Sequence, residues 1–215
     1  MGEDRVMREL NLLRNYPQPN ERVIPNRTIE DRIVASYRGR DFFDGRRECG
    51  YGGYLYDGRW KAVAEDICAE YQPLFVIQLE CEKGHLIHEL SKLGIDACGT
   101  ESSSYARGRS MEPKLINNDN LTKSPYDLCI ALGLVYTLPL NQAMNCIRQI
   151  EKVAHKAFIT LAAYETEEDL RLFRRWTLLG TTILKREEWI EVLKHCGYTG
   201  DYWFVTAQSL KLREA

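Results

Sequence analysis

The run Asp127-Leu128-Cys129-Ile130-Ala131-Leu132-Gly133-Leu134-Val135 has one charge, at its start, and is otherwise apolar. A strand with one wet face alternates polar and apolar residues, so a continuous apolar run of this length reads as a strand covered on both faces. That requires a parallel sheet with helices above and below. From Trp60 onward the chain supplies the elements in alternation: helix 61–71, strand 74–79, helix 83–93 stopped by Gly94, strand 96–100, and a weaker strand near 114–117. After the 127–135 strand come helix 141–153, strand 157–163, a charged helix 165–178, helix 187–196 ended by Gly197, and strand 202–207. The pattern defines a Rossmann-like α/β domain.

The first 60 residues are different. Pro17, Pro19 and Pro25 interrupt an arginine-rich segment that reads as a helix over 5–14, an extended arm, and a helix over 29–37. A Gly- and Tyr-rich stretch, 49–60, follows and supplies rigid aromatic surfaces on a permissive backbone. We therefore divide the chain into an arm and cap, 1–60, and a domain, 61–215.

A net charge of −2 from 29 basic and 31 acidic residues gives no general attraction to phosphate backbones or anionic membranes, so neither is an expected partner. The basic-aromatic segment 171–176 reads as a helix with Leu172, Phe173 and Trp176 inward and its arginines in water. Seven cysteines, without a CxxC pair, exclude a disulfide framework or a zinc ribbon. With no apolar leader or spanning segment, a reduced, cytoplasmic protein is expected.

In such sheets ligands bind beyond the C-terminal ends of the strands, beside the loop after the first one. Here that loop runs from Gln78 through Glu80, Cys81, Glu82 and Gly84 to His85. Glu101 ends the next strand about twenty residues further on, where a carboxylate can accept both hydroxyls of a ribose.

The blocks 38–45 (RGRDFFDG), 50–60 (GYGGYLYDGRW), 82–101 (EKGHLIHELSKLGIDACGTE), 126–140 and 187–204 together resemble the class I S-adenosylmethionine-dependent methyltransferases, in a bacterial group of about this length that acts on small molecules. The resemblance implies a mostly parallel seven-stranded sheet with helices on both faces. It implies S-adenosylmethionine (SAM) as cofactor, held by Glu80, Cys81 and Gly84 of the loop, Glu101 on the ribose, Asp119 at the adenine, and Tyr56 and Arg59 of the cap. Arg59 would clamp the methionine carboxylate, and Tyr51 and Tyr54 would meet a small polar substrate such as a sugar. Tyr136, His85 and Asp57 are the candidate catalytic bases.

The chain departs from the family's first motif. Gln78 replaces an acid, and Glu80 and Glu82 stand at two of three glycine positions. A second reading therefore stands beside the first: the fold is kept, SAM binding and methyl transfer are lost, and the chain acts as a scaffold, as a partner subunit in a homo-oligomer or with an active homologue, or as a binder of another ligand. Cys81, His85 and His88 share one helix start, but their spacing matches no zinc signature, so no metal is expected.

Overall fold

The computed structural model describes residues 6–17, 23–24, 27–112, 116 and 126–214. Five strands make the body of the sheet: β2 (Phe75–Leu79), β3 (Asp96–Gly99), β4 (Tyr126–Ala131), β5 (Ala154–Tyr164) and β7 (Asp201–Val205). The N-terminal β1 (Arg8–Glu9) is added at one edge, giving the order β1-β7-β5-β4-β2-β3, while the short β6 (Leu184–Lys185) pairs with the end of β5. Every pairing is parallel. Ile116 bridges Gly99 beyond β3, where the sequence predicts a weak strand.

Successive residues of β4 enter opposite cores, which explains its unbroken apolar run. Leu128 and Ile130 pack with Val63 and Ile67 of α3 (Lys61–Tyr71) and Leu86 and Leu90 of α4 (His85–Lys92). Cys129 and Ala131 pack with Ile147 and Ile150 of α6 (Leu140–Val153) and Trp189 and Leu193 of α8 (Arg186–Cys196). Phe173 of α7 (Glu167–Trp176) closes a further cluster with Ala162 and Val205, and Leu172 and Trp176 pack against it, as the sequence predicts. Arg171 and Arg175 pair with Glu214.

The N-terminal segment forms α1 (Ile29–Ser36) and α2 (Arg40–Phe43) and folds over the C-terminal ends of the strands as a cap. Its own small core comprises Ala35, Phe42, Phe43 and Tyr54, joined by Ala106 of α5 (Ser104–Arg107). Lys83 ties the cap to the sheet. Its buried ammonium donates to both Asp44 oxygens at 2.7 and 2.8 Å and to the Tyr54 carbonyl at 2.8 Å.

Two expectations are corrected. The described part of 5–14 is not helical: Arg8 and Glu9 form β1, because Arg8 meets Asp201 at 3.0 and 2.9 Å and Leu12 is buried in a core, gains that outweigh local propensity. The 127–135 strand ends at Ala131, where Leu132 and Gly133 turn away (Gly133 φ +71°) and Val135–Thr137 form a 3₁₀ turn. No helix among the described residues is long and apolar enough to cross a membrane.

Candidate functional site

The loop from β2 to α4 keeps the backbone of a glycine-rich turn without most of the glycines. Glu80, Glu82 and Gly84 all have left-handed φ, at +50°, +56° and +71°. For a residue with a Cβ this conformation costs about 1–2 kcal/mol. The turn is fixed by hydrogen bonds: the Cys81 N–H donates to the Thr100 carbonyl (2.8 Å), Gly84 N–H to the Cys81 carbonyl (2.9 Å), and Glu82 N–H to Glu101 Oε2 (2.7 Å). The Cys81 side chain is buried in the α3–α4 core, which pushes its thiol well up. Gln78 is buried too, with its Oε1 lacking a hydrogen-bond partner.

Glu101, just past β3, is 0% exposed. Its Oε1 accepts from Ser103 N–H (2.6 Å), and its Oε2 accepts from Glu82 N–H and from the Arg38 guanidinium (3.1 Å). Burial raises its pKa more than Arg38 lowers it, leaving it at about 6. Arg38 lies just past α1 and also pairs with Glu80 at 2.9 Å. Ser102 Oγ donates to the same Glu80 oxygen at 2.7 Å. Burial works against the charge of Arg38, but Glu101, Glu80 and Glu82 together hold its guanidinium firmly protonated. Its Nε is buried without a hydrogen-bond partner.

Beside this cluster lies a cleft of about 150 Å³. Glu80, Glu82 and Arg38 form its inner end, the turn 132–134 and Tyr136 its floor, residues 176–179 after α7 one wall, and Phe42, Arg47 and Tyr51 its roof. The Tyr51 hydroxyl donates to Glu82. Burial and the Glu82 charge push the Tyr136 phenol up to about 12, so it stays protonated at neutral pH.

The other sequence-predicted residues among those described do not line the cleft, although Tyr54 stacks on Tyr51, which does. Tyr54 is buried and stacks on His85 (ring centres 4.7 Å apart, 18°). Burial, reinforced by Lys83, lowers the pKa of His85 to about 4, so the ring is neutral near pH 7. The Tyr56 hydroxyl donates to Glu89. Arg59 is closed onto Asp57 by contacts of 2.8, 2.9 and 2.6 Å, and these hold the Asp57 carboxyl below its usual range. Neither His85, Asp57 nor Arg59 lines the cleft. Asp119 lies outside the described residues. No group of three metal-ligating side chains occurs among the described residues, and His88 pairs with Glu112 at 2.8 Å. The sequence reading gave no role to Arg38, although three glutamates at 80, 82 and 101 around one site call for a counter-ion, and Arg38 opens one of the recognised blocks.

The sheet, its flanking helices and the ligand-side loop define the Rossmann-like fold of the class I methyltransferases. Magnesium protoporphyrin IX methyltransferase (ChlM) from Synechocystis PCC 6803 shares it. Its SAH-bound structure is 18% identical with a TM-score of 0.57, covering 77% of this chain and 88% of that one. Its SAM-bound structure is 19% identical with a TM-score of 0.53, covering 80% and 88%. The CcbJ methyltransferase from Streptomyces caelestis is 18% identical with a TM-score of 0.41; this chain spans about half of its length, 47%. No protein-family model and no curated protein sequence matches the chain.

In this arrangement the ribose end of a SAM site is obstructed by the protein's own side chains. A ribose needs acceptor sites on this carboxylate, and Glu101 spends three of its roughly four inside the protein, one on Oε1 and two on Oε2, with the Arg38 guanidinium standing against it. A Cβ at Gly84 would meet Ser110 Oγ at 2.8 Å and Ile116 Cδ1 at 3.1 Å, so its missing side chain makes room for protein atoms. The enclosed part of the cleft, about 150 Å³, takes about one benzene-sized ring.

Proposed function

We propose that this chain binds a small polar metabolite of about one ring in the cleft under its cap, and that its own side chains stand where a methyltransferase of this fold holds its cofactor. The fully buried carboxylate of Glu101, engaged by the Arg38 guanidinium and two backbone N–H groups, carries this reading. The lining suits a molecule with a hydroxylated edge and an apolar face, such as a sugar ring or a hydroxylated aromatic. Glu80, Glu82 and the Tyr136 hydroxyl offer polar partners at one end, while Phe42, Leu132 and Trp176 offer flat or apolar walls.

A second reading, SAM-dependent methylation of such a metabolite, is favoured by the left-handed path kept at residues 80, 82 and 84 and by the acid at position 101. On that reading the cap must first lift Arg38 off Glu101. Calorimetric titration with SAM and with S-adenosylhomocysteine separates the two. No heat at millimolar ligand is the expected result, and micromolar binding would overturn the first reading in favour of the second. A thermal-shift panel of monosaccharides and hydroxybenzoates then identifies the ring that raises the melting temperature.

A further inference from the structure

We infer that Arg38 is the internal replacement for a bound nucleoside: its guanidinium engages the carboxylate at the end of β3 that a ribose would use, and Glu80 holds it there. This inference rests on the first reading above, in which the chain does not take up SAM.

Three independent features converge on it. The first is geometric. Arg38 bridges Glu101 at 3.1 Å and Glu80 at 2.9 Å, so it spans the loop after β2 and the end of β3, the two segments between which a ligand of this fold lies. The second is backbone conformation. Five non-glycine residues among those described have left-handed φ, and Arg38, Glu80 and Glu82 are three of them. Strained residues gather where the surroundings fix them, and here they meet in one ion cluster. The Ser103 hydroxyl donates to the Arg38 carbonyl at 2.5 Å, which anchors the main chain as well. The third is charge. Glu101 and Glu80 both contact one partly buried cation, and a neutral ribose could not replace it without leaving their charges uncompensated. The orphaned Arg38 Nε fits the same account, because the carboxylates fix the guanidinium's position even though one of its donors is left unused.

Glycine suits all three strained positions, so the replacement can be reversed without imposing backbone strain. The experiment titrates S-adenosylhomocysteine and SAM into the full chain and into three variants: Glu80→Gly/Glu82→Gly, Arg38→Gly, and the triple Arg38→Gly/Glu80→Gly/Glu82→Gly. Circular dichroism reports that each is folded. The parent and the double variant are expected not to bind at millimolar ligand, because Arg38 still covers Glu101. The triple variant is expected to bind S-adenosylhomocysteine at least 100-fold more tightly than the parent. The single variant keeps two uncovered glutamates, and is expected to prefer the sulfonium cation SAM over S-adenosylhomocysteine about tenfold; it decides the matter should the triple variant not fold. Gain in the double variant equal to that in the triple would overturn the role of Arg38. Folded variants without Arg38 that bind neither ligand would also overturn it, while leaving the first reading intact. Micromolar binding by the parent would overturn that reading itself.

Discussion

Gln72 and Glu80 share nearly the same left-handed φ, +48° and +50°, yet their surroundings differ, so substituting each by glycine separates strain from what compensates it. Gln72 is exposed at the end of α3, where its N–H donates to the Cys68 carbonyl and the position demands only the backbone. Gln72→Gly is expected to raise stability by about 0.5–1 kcal/mol. Glu80→Gly gains the same relief but strips Arg38 of one of its two direct carboxylate partners and Ser102 of its acceptor. A net loss of about 1–2 kcal/mol is expected, because a partly buried cation loses a charge-assisted contact. Urea midpoints of the two variants, read against the parent, check both signs. The sequence showed glutamate at positions 80 and 82, where its resemblance to the class I methyltransferases leads one to expect glycine. It did not show that the backbone keeps its glycine-like path, because that depends on Glu101, Thr100 and Arg38 arriving from elsewhere in the chain.

The elements most legible in the sequence are those whose reason to form is local or periodic. The buried strand β4 announces itself by composition, and α7 begins at Thr166, whose side chain accepts from Asp169 N–H while Asp169 accepts from Thr166 N–H. That reciprocal cap makes Thr166→Ala a loss of about 1 kcal/mol by denaturant titration, with Ser expected to restore most of it. The misread elements have distant causes. The start of the chain carries the composition of a helix, but Arg8 and Glu9 are strand only because β7 offers an edge. The turn at 132–134 looks like more of β4, but it leaves the sheet where Gly133 N–H finds the Thr160 hydroxyl at 2.8 Å. The cleft floor is therefore made of residues that periodicity assigns to the core.

Two buried groups on either side of the loop after β2 give the whole protein opposed pH responses. His85 titrates near 4 in the folded state against 6.5 unfolded, so the protonated ring is disfavoured by folding. Stability is fully present above about pH 6.5 and falls by about 3 kcal/mol as pH drops to 4. Glu101 titrates near 6 against 4.5, which makes the native state the better proton binder in that interval. Its contribution falls by about 2 kcal/mol as pH rises from 4.5 to 6. The two trends offset each other in the parent. His85→Phe keeps a ring on Tyr54 and removes one of them, so this variant is expected to be more stable at pH 5 than at pH 7, the reverse of a protein governed by its buried histidine. Carboxylates held low by partners, such as Asp44 and Asp127, act only below that window.

The edge pairing of β1 with β7 also bears on how the protein is made. Arg8 finds its carboxylate on Asp201, 193 residues later. A ribosome adding about 5–20 residues per second needs on the order of 10–40 s to cover that distance. Throughout that time the central strands can assemble, while the N-terminal segment has no strand to join. The last core strand to emerge, β7, therefore decides when the first residues of the chain are docked, and a stall before residue 201 would leave them exposed to chaperones and proteases.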